Sequence, residues 1–95
     1  MTSDQLRNPA GFRVHGRVQG VGFRWWTRRT AERLGIAGSV RNLSDGSVEV
    51  RAAGPAEAMR EFEARLRSGP QPASVERLER FVVDDVPGDE FRIEP

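Results

Sequence analysis

Twice along this chain a run of alternating apolar and polar residues gives way to apolar residues spaced three and four apart. Alternation is the period of a strand half exposed to water; the wider spacing is that of a helix with one buried face. From Phe12 to Val18, Phe12, Val14, Gly16 and Val18 fall on one side and Arg13, His15 and Arg17 on the other. Gln19-Gly20-Val21-Gly22 interrupts the pattern, and Phe23 to Leu34 then sets Phe23, Trp26, Thr30 and Leu34 on one stripe. Gly35 stands where a left-handed helix C-cap falls. Ile36 to Leu43 reads as a second strand, with Val40 pointing inward. Ser44-Asp45-Gly46 is a hairpin signal, and Val48, Val50 and Ala52 form the inward side of a third strand. Pro55 opens a second helix on which Met59, Phe62 and Leu66 recur, stopped by Ser68-Gly69-Pro70-Gln71-Pro72. Ser74 to Asp85 reads as a fourth strand, and Phe91 to Ile93 leaves room for a short fifth.

The order strand, helix, strand, strand, helix, strand predicts an α+β split βαβ sandwich, the ferredoxin-like βαββαβ arrangement, with two helices on one face of an antiparallel sheet. Ninety-five residues without a cysteine must build it around one core, since no disulfide is available to help. Residues 1–10, polar and aperiodic, read as a loose leader, and 11–95 as a single domain. No apolar run approaches the roughly 20 residues of a spanning helix, and the first ten residues have no signal-peptide pattern. A cytoplasmic protein with no membrane partner is the expectation.

Charge narrows the chemistry. All fifteen basic side chains are arginines, nine of them within residues 1–51 against four acids, a local balance of +5. Residues 52–95 carry six arginines against ten acids, so an anionic ligand would be drawn to the N-terminal half. The absence of cysteine and the single histidine exclude thiolate chemistry and paired-histidine metal sites. His15 reads as an ordinary sheet-face residue. Asp84-Asp85 reads as solvated acids, because neighbours on a strand point to opposite faces.

Gly16 to Arg24 differs from these. A strand enters a glycine-bearing turn that enters a helix N-terminus, where backbone N–H groups and the helix dipole can converge on an anion. Arg24 can bring a planar guanidinium matched to two phosphoryl oxygens. Spacing alone is equally compatible with a plain strand-to-helix connection and a solvent arginine. Asn42, at the end of the second strand, reads either as turn chemistry or, if the topology brings it to the glycine turn, as an amide able to hold a water.

The pattern G-x-V-Q-G-V-x-F-R is present in Gly16, Val18, Gln19, Gly20, Val21, Phe23 and Arg24. V-x-N-x-x-D-G-x-V-E follows in Val40, Asn42, Asp45, Gly46, Val48 and Glu49. These motifs resemble those of the acylphosphatase family, and the likeness runs over essentially the whole chain. It implies a hydrolase of small-molecule acyl phosphates in which Arg24 binds the phosphoryl oxygens and Asn42 positions the attacking water. The backbone amides of Gln19, Gly20, Val21, Gly22 and Phe23 would complete the phosphate cradle. It implies no cofactor, no metal and no nucleic-acid partner, and inorganic phosphate or sulfate as competing ligands. A monomer is the simplest expectation. The departures from the family pattern, Ser39 and the ending Ile93-Glu94-Pro95, would bear on packing more than on chemistry.

The alternative is a non-catalytic ferredoxin-like module binding RNA or an anion. RNA-binding sheets of this kind carry stacking aromatics on central strands, and Ser47 to Ala52 has none. Trp25 and Trp26 both lie on the first helix, Trp26 on its apolar stripe.

Overall fold

The computed structural model describes residues 7–95, which form strands β1 (Ala10–Arg17), β2 (Ala37–Asn42), β3 (Val48–Ala53), β4 (Ser74–Phe81) and β5 (Phe91–Ile93) with helices α1 (Phe23–Leu34) and α2 (Ala56–Ser68). One sheet runs in the order β4-β1-β3-β2-β5. The four long strands are antiparallel, as expected, whereas β5 joins β2 in parallel and makes the sheet mixed.

Register explains the core. Ala10, Phe12 and Val14 face Ala52, Val50 and Val48, and Val40 lies across from Val50, so the alternating residues converge on one face. Both helices cover that face. Phe62 of α2 stands edge-on to Phe12 at 6.3 Å and to Phe91 at 6.1 Å. Full burial of one such ring contributes about 1.5–3 kcal/mol. On α1 the buried residues are Phe23, Thr27, Thr30 and Ala31, while Trp26 and Leu34 are only half-buried. The expected stripe is therefore rotated: Phe23, Thr27 and Ala31 form an i, i+4 ridge, with threonine serving as an inward residue.

The fourth strand is shorter than its sequence pattern suggests. After Phe81 the chain leaves the sheet, and Val83 and Val86 pack on Ala37 and Ala53 over the face opposite the helices. Asp85 accepts hydrogen bonds from the Val86 amide (2.8 Å) and Arg7 Nε (3.1 Å), a structural rather than catalytic employment. Residues 1–6 of the expected leader lie outside the described residues; of the others, Asn8 donates to the Gly54 carbonyl at 2.9 Å and Ala10 opens β1. Among the described residues no helix is long and apolar enough to cross a membrane.

The open face holds an ion cluster around a buried carboxylate. Cross-strand register sets Glu49 between Arg13 and Arg41, and Arg51 follows on the same side of β3. Glu49, 5% exposed, lies 2.9 Å from Arg41, 3.4 Å from Arg13 and 3.6 Å from Arg51. Burial alone would raise its pKa. The hydrogen bond and charge of Arg41, the charge of Arg51 and the hydrogen bond from Arg13 outweigh burial and hold the carboxyl below its ordinary 4.5. A group depressed in the folded state stabilises fully above its unfolded pKa, and that stability is lost as pH falls through the folded value. Glu49→Gln is expected to lower urea-unfolding stability near neutral pH by about 1–3 kcal/mol. The gap between variant and wild type should narrow in acid below pH 4.5. A gap that ignores pH would show that the charge on Glu49 is not its source.

Candidate active site

β1 delivers the chain to the loop 18–22 beside the end of β2, because β3 lies between them in the sheet and the hairpin returns β2 to that level. Gly20 and Gly22 adopt φ of 76° and 78°, the left-handed region that a side chain disfavours. A Cβ at either position would meet no protein atom within 4 Å, so the demand for glycine is conformational and the space beside it stays open. Gly22 is the N-cap of α1, offers no side-chain cap, and no acid occupies the first turn. The closing bond of that turn runs from the Trp26 amide to the Gly22 carbonyl at 3.0 Å. The amides of Phe23, Arg24 and Trp25 precede it and have no partner within the helix.

Arg24, at the second position of α1, donates from Nη1 to the Glu94 carbonyl at 3.1 Å. Glu94 is itself tied down, its amide bonding the Val40 carbonyl at 2.9 Å. The guanidinium is thus oriented by the chain leaving β5, and its remaining N–H groups are available to an oxyanion. Gln19 supplies a second brace. Its Nε2 donates to the Leu43 carbonyl at 2.8 Å and the Ser47 carbonyl at 2.9 Å, stapling the loop to the hairpin base next to Asn42. Asp45 completes that hairpin. Hydrogen bonds from the Ser47 hydroxyl and then its amide hold the Asp45 carboxyl below the usual carboxylate range.

These braces surround a cavity of about 200 Å³ lined by Val18, Gly20, Gly22, Phe23, Arg24, Trp25, Asn42 and Ile93. Asn42 is one of the lining residues, and its Oδ1 is buried with no hydrogen-bond partner among the described residues. A buried acceptor left unmatched requires a reason, and a ligand or water would supply one. Arg24 is the only ionisable side chain in the lining. The lining offers one guanidinium and one side-chain amide, and no nucleophile, general acid or general base from a titratable side chain.

Of the residues singled out from the sequence, Gly20, Gly22, Phe23, Arg24 and Asn42 meet at this cavity. Gln19 and Val21 flank it: Gln19 through the staple, Val21 by packing its side chain against the core. His15 lies apart on the open sheet face, 2.7 Å from Glu79, and its hydrogen bond is the main influence lowering the Glu79 pKa. Trp25, Ile93 and the Glu94 carbonyl were not legible as site groups. The ending Ile93-Glu94-Pro95, expected to bear on packing, also meets Arg24, because parallel pairing of β5 with β2 carries it there. A larger and more open cavity of about 670 Å³ lies between α1 and β5. Glu32, Asp89 and Glu90 outnumber Arg28 and Arg92 in its wall, which disfavours an oxyanion there.

Fold and loop together define a small ferredoxin-like α+β protein with one arginine-lined cavity at the start of its first helix. Residues 10–93 match the sequence profile of the family described as Acylphosphatase. The chain belongs to the acylphosphatase family. It is 59% identical over 66 residues to an acylphosphatase of Nitrobacter hamburgensis, covering 70% of this chain and 67% of the relative. An acylphosphatase of Rhizobium etli is 52% identical over 83 residues, 85% of this chain and 87% of its own. The solved structure of an acylphosphatase from Coxiella burnetii superposes with a TM-score of 0.90 at 33% identity, covering 99% of this chain and all of that one (100%).

Proposed function

We propose that the chain hydrolyses the carboxyl–phosphate bond of small acyl phosphates by in-line attack of a water positioned by Asn42, the phosphoryl group being held by Arg24 and the backbone amides of Gln19 to Phe23. The observation that carries this reading is the convergence on one cavity of Arg24 and of Asn42, whose Oδ1 has no partner among the described residues, with no other ionisable group lining it.

The step balances without further groups. The water oxygen bonds to phosphorus as the bond from phosphorus to the bridging oxygen breaks, and the bonding pair leaves on the carboxylate. The water's proton passes to a phosphoryl oxygen, so the products are a carboxylate and inorganic phosphate. Phosphoryl transfer runs through a loose transition state with charge spread over the equatorial oxygens, which fixed donors stabilise without rearrangement. A carboxylic acid has a pKa of about 4, so the leaving group needs no proton. An alkoxide leaving group would need one, and this cavity has no acid to give it; phosphate monoesters should therefore react poorly. Two ends of one water are served: Asn42 Oδ1 accepts from it while the phosphate oxygens await its second proton.

Neither a metal nor a covalent intermediate enters this reading. The reading takes the protein to act as a monomer on a diffusible substrate, with the cytoplasm as the setting. The test is hydrolysis of benzoyl phosphate by purified protein in excess chelator. Turnover should persist, and inorganic phosphate or sulfate should inhibit competitively. Activity that appears only on adding a divalent ion overturns the mechanism, and phosphate binding without turnover returns the chain to a binding module.

A further inference from the structure

Trp25 is the only exposed aromatic side chain among the described residues, with 55% of its surface accessible. An indole left half in water forgoes much of the stabilisation that burial would provide. Its position explains what it could do instead. Trp25 is the third residue of α1, and helical side chains lean toward the N-terminus of their helix, here toward the cradle. It lines the same cavity as Arg24 and Asn42. The Arg29 guanidinium sits 4.7 Å from the ring centroid, one helical turn on, and restrains the indole by a cation–π contact. Ile93 adds a second apolar surface to the lining. The cavity's volume of about 200 Å³ exceeds what a phosphoryl group needs, given that one water occupies about 30 Å³ in the liquid.

We infer that Trp25, with Ile93, forms a subsite for the acyl group, selecting aromatic and other bulky apolar acyl phosphates over acetyl phosphate. The inference rests on the hydrolytic reading above and adds the substrate class. The phosphoryl group is alike in every acyl phosphate, so the cradle cannot discriminate among them; only a surface beyond the cradle can. A ring laid on the indole is held in ground state and transition state alike, because the reacting bond is remote from it. Such uniform binding appears in KM and leaves kcat nearly unchanged.

The experiment compares benzoyl and acetyl phosphate with wild type, Trp25→Ala and Trp25→Phe, together with the inhibition constant of inorganic phosphate. Trp25→Ala should raise KM for benzoyl phosphate about three- to tenfold, the range of an aromatic pair, with kcat and the acetyl phosphate KM within about twofold of wild type. Trp25→Phe should restore most of the preference, and phosphate inhibition should be the same in all three. Equal losses on both substrates, an unchanged benzoyl-to-acetyl ratio, or a weakened phosphate inhibition that tracks the loss would each overturn the subsite. Wild type inactive on both substrates overturns the hydrolytic reading itself, and the subsite falls with it. Wild type active on both with a ratio indifferent to Trp25 overturns the subsite alone.

Discussion

Arg24→Gln is expected to lower kcat/KM on benzoyl phosphate by about 10²–10³-fold or more and to weaken inhibition by inorganic phosphate in parallel. Loss of a single preorganised donor to a developing oxyanion typically costs about 2.7–4 kcal/mol, and this substitution also removes the only charge in the lining. Glutamine can still reach toward the Glu94 carbonyl that Arg24 meets at 3.1 Å, so the change removes charge while sparing part of the local architecture. Arg24→Lys is expected to recover little. An ammonium is a point charge on a flexible stem, whereas the guanidinium fork can satisfy the carbonyl with one N–H and present others to two oxygens. Steady-state kinetics and the phosphate inhibition constant, with a thermal melt to establish folding, decide the matter. Phosphate inhibition unchanged in Arg24→Gln would remove Arg24 from the phosphate site.

Asn42→Ala should separate binding from chemistry. The phosphate inhibition constant should stay within about twofold of wild type while kcat falls about 10²–10³-fold, on the scale of one lost transition-state hydrogen bond. Stability provides an independent check. Asn42 Oδ1 is buried without a partner, so its removal takes away an unsatisfied acceptor rather than a formed bond. The alanine variant should be as stable as wild type or more so, the pattern expected where a residue is retained for activity at the expense of stability. A variant that loses stability as well as activity would indicate turn chemistry, the other role that an asparagine at the end of β2 can fill. Loss of phosphate binding would instead place Asn42 among the phosphate ligands.

Local pattern carried much of this architecture. The bounds of α1, Phe23–Leu34, follow from the switch of period between Gly22 and Gly35, both in the left-handed conformation. β3 and α2 likewise follow from alternation, a proline at the start and a proline–glycine stop. Where the reading strayed, a second layer intervened. Ser74 to Asp85 reads as one strand, yet the strand ends at Phe81, and Val83 and Val86 pack over Ala37 and Ala53 instead. Thr27 carries a hydroxyl that patterning assigns to solvent, but it falls on the ridge of α1 between Phe23 and Ala31 and is fully buried.

The site divides along the same line. The glycines of the loop and the helix start at Arg24 are readable from neighbours in sequence, whereas the roles expected of Arg24 and Asn42 came from the resemblance to the family's motifs. What the cavity owes to Gln19, Ile93 and Glu94 is not readable that way. The staple from Gln19 spans 24 and 28 residues, and the bond from Arg24 to the Glu94 carbonyl spans 70. Those partners meet only because β5 pairs in parallel with β2 at the edge of the sheet, a choice of strand order and register that no local period records. Sequence alone therefore determined the order of the secondary elements and the fold class, and its motifs singled out the two side chains of the proposed chemistry. Only the tertiary structure decided how the guanidinium is aimed, what surface lies beside it, and which buried polar atoms stay unmatched. Each of these depends on contacts between distant elements, whose energies are set by packing and hydrogen-bond satisfaction in three dimensions.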